Sequence, residues 1–145
     1  MGIEKEQKTR VFVYGTLLLG ESNSYLMKNA EFDGVAITKP EYELVDMKWY
    51  PAAVQGGKTM IWGEVYLVDS HLLAAIDKLE GHPNFYCRQQ VQLADGSFAH
   101  LYRFVRDVAR ELPVIASGNW RKRERTDCDW HRAGKSRRDH WDIAV

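Results

Sequence analysis

The 145 residues are 45% hydrophobic and 12% aromatic, enough for one domain with a real core and too apolar for a disordered chain. Formal net charge is zero, so no global field draws the chain toward nucleic acid or an anionic membrane. No apolar run approaches the roughly 18 residues of a bilayer span, the first ten residues are too polar for a secretory signal, and the distant Cys87 and Cys128 fit a reducing cytoplasm better than a disulfide scaffold.

Val11-Phe12-Val13-Tyr14 reads as a short buried strand ended by Gly15. Gly15 to Gly20 is a loop, apolar at Leu17, Leu18 and Leu19, and Ser22-Asn23-Ser24 offers N-cap side chains to a short helix through about Asn29. Strands are expected around Gly34–Thr38 and Tyr42–Val45. A loop over Trp49-Tyr50-Pro51-Ala52-Ala53, a turn at Gly56-Gly57 and a long alternating strand over Met60–Val68 follow. Asp69 and Ser70 cap a helix from about His71 to Glu80, stopped by Gly81 and Pro83. Ala94-Asp95-Gly96-Ser97 then joins Gln90–Leu93 to Phe98–Phe104 as a hairpin.

Strands outnumber helices, which predicts an α+β fold with a mixed or antiparallel sheet that curls into a small barrel, flanked by a few helices. Apolar periodicity fades near Trp120, so residues 1–121 form the expected domain and 122–145 a basic, mobile tail. Residues 121–138 hold eight Lys/Arg against three acids, interleaved with Trp130 and preceded by Trp120. Such a stretch admits contact with RNA or a partner protein, although a solvated extension is the plainer reading.

The helix ending at Glu80 carries the main anomaly. With Leu72 at zero and about 100° per residue, Ile76 falls near 40°, Leu73 near 100°, Leu79 near 340° and Ala75 near 300°, making one apolar arc. Asp77 and Lys78 lie outside it, but Glu80 falls near 80°, inside the arc. Burial and the negative end of the helix would both raise the pKa of such a carboxyl, suiting it to take and return a proton near neutral pH. The same position also admits a glutamate splayed to solvent where the helix frays at Gly81.

After the first strand, Gly15-Thr16-Leu17 can aim successive backbone N–H groups into one concavity that binds a carboxylate or oxyanion, although an ordinary tight turn has the same pattern. Arg88 either orients Glu80, attracts a carboxylate or makes a structural ion pair. Trp49, Tyr50 and Pro51 either wall a pocket or simply pack, and the Tyr102 hydroxyl lies on a strand from which it can reach the site. The five histidines and two cysteines show no ligand-type spacing, so no metal is expected. Asp127-Cys128-Asp129-Trp130-His131 is compact but falls in the tail, and Cys87 reads as a buried, inert strand thiol.

Taken together, Val11-Phe12-Val13-Tyr14-Gly15-Thr16-Leu17, Gly63-Glu64-Val65-Tyr66, the run from Ile76 through Glu80-Gly81 to Arg88, and Ile115-Ala116-Ser117-Gly118-Asn119-Trp120 resemble the γ-glutamylcyclotransferase family, which includes the γ-glutamylamine cyclotransferases. The match runs in consistent order over roughly residues 10–121. The resemblance implies a cofactor-free reaction on a small γ-glutamyl substrate. The α-amine attacks its own γ-carbonyl, giving 5-oxoproline and a free amine or amino acid. It makes Glu80 the general base and then acid and places the Tyr14-Gly15-Thr16-Leu17 loop at the glutamyl end of the pocket; Tyr50, Arg88 and Tyr102, on the positional readings above, complete the candidate substrate-binding residues. A non-catalytic ligand-binding module on the same fold is the alternative.

Overall fold

The computed structural model describes residues 7–123. Its centre is β1 (Thr9–Val13), whose Val11, Phe12 and Val13 are all buried, as a strand covered on both faces requires. β1 pairs antiparallel with β5 (Trp62–Val68) on one side and parallel with β7 (Phe98–Phe104) on the other. β2 (Glu31–Ile37) adds to β5 and β6 (Tyr86–Gln92) to β7, giving the order β2-β5-β1-β7-β6. The two outer strands meet at one end. Thr38 bridges Leu93, and the Ala94 N–H donates to the Ile37 carbonyl at 3.0 Å. The β2 register shifts between Phe32 and Val35, and such a bulge bends a strand. The expected α+β fold with a barrel-like mixed sheet is therefore present.

A separate hairpin, β3 (Tyr42–Asp46) and β4 (Pro51–Gln55), packs β4 against β7. The region expected as a loop from Trp49 to Ala53 is thus largely strand. Burial of the small Ala52 and Ala53 side chains favours an extended, close-packed backbone over a solvated turn, and Pro51 stands at the first strand position, where its missing N–H is tolerated. The expected helix before Asn29 shrinks to a 3₁₀ turn over Ser24–Met27. Asn23 makes no side-chain cap there; its amide instead donates to the Thr16 hydroxyl at 3.0 Å.

The one α-helix among the described residues, α1 (Ser70–Glu80), starts as expected. The Asp69 carboxylate accepts the Leu72 N–H at 2.7 Å. It stops in a left-handed Gly81 at φ 67°, with the His82 N–H on the Asp77 carbonyl and the Gly81 N–H on that of Lys78. This bond pair reverses the chain immediately after Glu80. Ile76 and Glu80, neighbours on the predicted arc, are the two fully buried residues of α1, while Ala75 at the arc's far edge is exposed.

The last described residues are part of the fold. The Ile115 N–H donates to Leu44 at 2.7 Å, and Trp120 is 2% exposed at the start of a 3₁₀ turn, Trp120–Lys122. Trp120 is therefore a core residue, unavailable for stacking on a base. The remaining tail, including Asp127–His131 and Trp130, lies outside the described residues. Cys87 is half-buried on β6, more accessible than expected, because the β6 register turns it away from the barrel interior.

Candidate active site

Glu80 ends α1 within reach of the charge-sensitive hydroxyls of Tyr14, just after β1, Tyr86 on β6 and Tyr102 on β7. Its side chain is fully buried, and among the described residues neither carboxyl oxygen has a hydrogen-bond partner. A buried polar atom without a partner costs about 1–3 kcal/mol, so two on one carboxyl mark a group kept for something other than stability. Burial, and then the negative charge of Asp77 one turn earlier, hold the Glu80 pKa well above the ordinary carboxyl range. The sequence reading named burial correctly. Asp77 adds a contribution that the sequence reading did not name.

Tyrosines surround this carboxyl. Burial raises the pKa values of Tyr14, Tyr86 and Tyr102, with a further upward push from the Glu80 charge on each. All three are therefore neutral hydroxyls at physiological pH. The Tyr14 hydroxyl donates to the Tyr102 carbonyl at 2.6 Å and accepts the Ala53 N–H at 3.1 Å, tying the start of the loop to β7 and β4. The Tyr86 hydroxyl donates to the Pro51 carbonyl at 2.8 Å, and the buried Tyr50 ring meets the Tyr86 ring edge-on at a centroid distance of 6.5 Å.

Arg88 does not pair with Glu80. Its Nε and one terminal nitrogen donate to the two oxygens of Asp77 at 2.8 and 3.1 Å, a bidentate fork. Its other terminal nitrogen lies 3.3 Å from His100 Nδ1, and its backbone N–H donates to His82 Nδ1 at 2.9 Å. The Tyr102 hydroxyl donates to Asp77 at 2.5 Å. Burial pushes the Asp77 pKa up, but the Arg88 and Tyr102 hydrogen bonds outweigh it and leave the value lowered. Two carboxyls one helical turn apart are thus driven in opposite directions, Asp77 to remain charged and Glu80 to remain protonated. Paired carboxyls with separated pKa values are a mark of acid–base sites.

The loop contributes backbone. Gly15, Thr16, Leu17 and Leu18 are buried. The Leu18 N–H donates to Gly15 at 3.0 Å and the Asn23 N–H to Thr16 at 2.8 Å, which closes the turn. Among the described residues the amide N–H groups of Gly15 and Leu17 have no partner, so they are donors in need of an acceptor.

Residues 11–122 match the model of the family described as gamma-glutamyl cyclotransferase, AIG2-like. The chain belongs to that family. It is 39% identical over 116 residues to the gamma-glutamylcyclotransferase family protein YtfP of Escherichia coli K12, covering 80% of this chain and 99% of that one. It is 38% identical over 92 residues to gamma-glutamylaminecyclotransferase A of Danio rerio, covering 57% of each chain. The solution NMR structure of Escherichia coli ytfP superposes with a TM-score of 0.63 at 37% identity, covering 81% of this chain and all of that one. The crystal structure of an aig2-like protein from Mus musculus gives 0.67 at 26% identity, covering 74% and 86%. The protein is an enzyme of the γ-glutamylcyclotransferase family. No described helix is long and apolar enough to cross a membrane.

Four participants escaped the sequence reading. Asp77 looked like a solvent-facing residue, although its place one turn before Glu80 and the later Arg88 were a usable signal. Tyr86 and Ala53 carried no signal beyond apolarity. Glu64, quoted only as part of a strand, is 4% exposed and shares the strand face of Trp62 and Tyr66. A charge at such a position could have been singled out.

Proposed function

We propose that this enzyme cleaves a γ-glutamyl amide by intramolecular attack of its α-amine, giving 5-oxoproline and a free amine or amino acid. The observation that carries this reading is the fully buried Glu80 carboxyl with both oxygens unpartnered among the described residues, beside a loop whose Gly15 and Leu17 amides also lack acceptors. An unsatisfied acid and unsatisfied donors suit a zwitterionic glutamyl group, with its ammonium on the acid and its carboxylate or oxyanion on the amides.

The protonation state sets the order of events. A carboxyl with a raised pKa is neutral in the empty site and cannot act as a base. An entering α-ammonium supplies the countercharge that favours the ionised form, so substrate binding converts Glu80 to a carboxylate and releases its proton to solvent. Glu80 then takes a proton from the ammonium, and the freed amine nitrogen attacks the γ-carbonyl carbon. The ring C–N bond forms, and negative charge develops on the carbonyl oxygen. Glu80 returns that proton to the departing nitrogen as the carbonyl re-forms and the original C–N bond breaks, and the second proton, shed by the ring nitrogen, also passes to the leaving amine, which departs as an ammonium. Because the nucleophile is tethered, the remaining task is to hold the chain bent for five-membered ring closure, a role for the walls formed by Tyr14, Tyr50, Tyr86 and Tyr102. Arg88 acts through Asp77, which it keeps charged, and not as a direct ligand for substrate.

The deciding experiment incubates the full-length protein with γ-glutamyl amino acids and γ-glutamyl-ε-lysine and measures 5-oxoproline. Release from at least one substrate that disappears in Glu80→Gln supports the reading. A folded protein that forms no 5-oxoproline from any of them defeats it and leaves a binding module.

A further inference from the structure

Leu19 is anchored unlike its neighbours. Leu17 and Leu18 are buried, whereas the Leu19 side chain is 72% exposed and packing does not hold it. Its backbone is held instead by two oppositely charged side chains. The Leu19 N–H donates to Glu64 Oε1 at 2.9 Å, and the Leu19 carbonyl accepts from an Arg121 terminal nitrogen. Arg121 and Glu64 face each other at 3.6 Å, and the Tyr66 hydroxyl donates to Glu64 at 3.0 Å. Arg121 also lies 3.7 Å from Glu21, further along the same loop, and over the Trp62 ring at 5.4 Å.

We propose that the Glu64–Arg121 ion pair is a positioning device that locks the Gly15–Leu19 loop in its substrate-binding shape, bringing the chain after Trp120 into the construction of the site. The inference rests on the proposed role of that loop. Glu64 stands on β5 opposite Val13, the last residue of β1, so it meets the loop where it leaves the sheet. The guanidinium fork reaches the Leu19 carbonyl and the Glu64 carboxylate together, which a single ammonium does less well. With Glu64 buried and the Arg121 side chain a third exposed, the pair is a poor source of net stability, so holding a backbone in place is the role its geometry suits. Backbone donors help a transition state only if fixed beforehand, because a loop that must order on binding loses affinity to that ordering.

The test compares wild type, Arg121→Ala, Arg121→Lys and Glu64→Gln by amide hydrogen exchange and by the Kd for 5-oxoproline. Arg121→Ala should speed exchange at Leu19 and weaken 5-oxoproline binding by about tenfold, the scale of one charged hydrogen bond. Exchange at Phe12 and Leu101 should stay slow. Arg121→Lys should fall between, and Glu64→Gln, which keeps an acceptor for Leu19, should be milder than Arg121→Ala. Unchanged Leu19 exchange and unchanged affinity in Arg121→Ala would overturn the proposal. If Arg121→Ala loses core protection, Arg121→Lys decides: weaker binding with an intact core supports the lock, and wild-type binding overturns it. Wild type that does not bind 5-oxoproline would count against the cradle reading itself. In that case, faster Leu19 exchange in Arg121→Ala would still support the lock, and unchanged exchange would overturn it.

Discussion

Replacing Glu80 by glutamine tests the catalytic assignment and its electrostatic basis together. The side chain keeps its shape and loses its ionisation. Turnover should fall at least about 10²-fold, the lower end for a positioned acid–base group. Stability makes an independent statement. The raised folded-state pKa means that the native carboxyl stays protonated where the unfolded one, at about 4.3, has ionised. The folded state then binds the extra proton, so this contribution to stability is fully present below the unfolded pKa and is lost as pH rises toward the folded one. Each pH unit in that window costs wild type about 1.4 kcal/mol, and Glu80→Gln escapes the loss. Between pH 5 and pH 7 the variant should gain stability on wild type, because only the native wild-type carboxyl resists ionisation over that range. Urea melts at the two pH values, paired with 5-oxoproline release, measure both effects. A stability difference that does not change with pH would show that Glu80 ionises freely in the native protein. The account of a neutral carboxyl switched on by substrate would then be wrong.

Asp77→Asn removes the charge that opposes Glu80 ionisation and releases Arg88, so the Glu80 pKa should fall and the acid limb of kcat/KM should move to lower pH; an unmoved limb would separate Asp77 from the chemistry. Tyr14→Phe strands the Tyr102 carbonyl and the Ala53 N–H, and should cost about 2 kcal/mol in denaturant melts. Trp120→Ala should cost about 3–5 kcal/mol by the same measurement, as for a buried aromatic, and a change below about 1 kcal/mol would place Trp120 outside the core.

Local pattern was enough for much of the architecture. The apolar run Val11–Val13, the Asp69 cap, the Gly81 stop and the Asp-Gly hairpin each depend on residues adjacent in sequence, and each appears where its chemistry placed it. Glu80 inside the apolar arc was also legible, since helical angle is fixed by spacing alone. The Trp49–Ala53 segment was misread because whether a Tyr-Pro pair opens a loop or a strand depends on what lies opposite, here Val45 and Leu44. Arg88 was left with three possible partners because its charge is visible in sequence and its direction is not. Tertiary structure chose Asp77, and so made Asp77 the fixed charge beside Glu80. Trp120 and Arg121 close the expected domain on local pattern, but only the fold lays Arg121 over Trp62 and onto the β1 exit loop, some hundred positions earlier for Leu19. Sequence by itself determined the elements and the carboxylate among them, because backbone geometry is local. Which partners hold that carboxylate and its loop was decided only by the closed sheet, because electrostatics and hydrogen bonding act through distances that only folding sets.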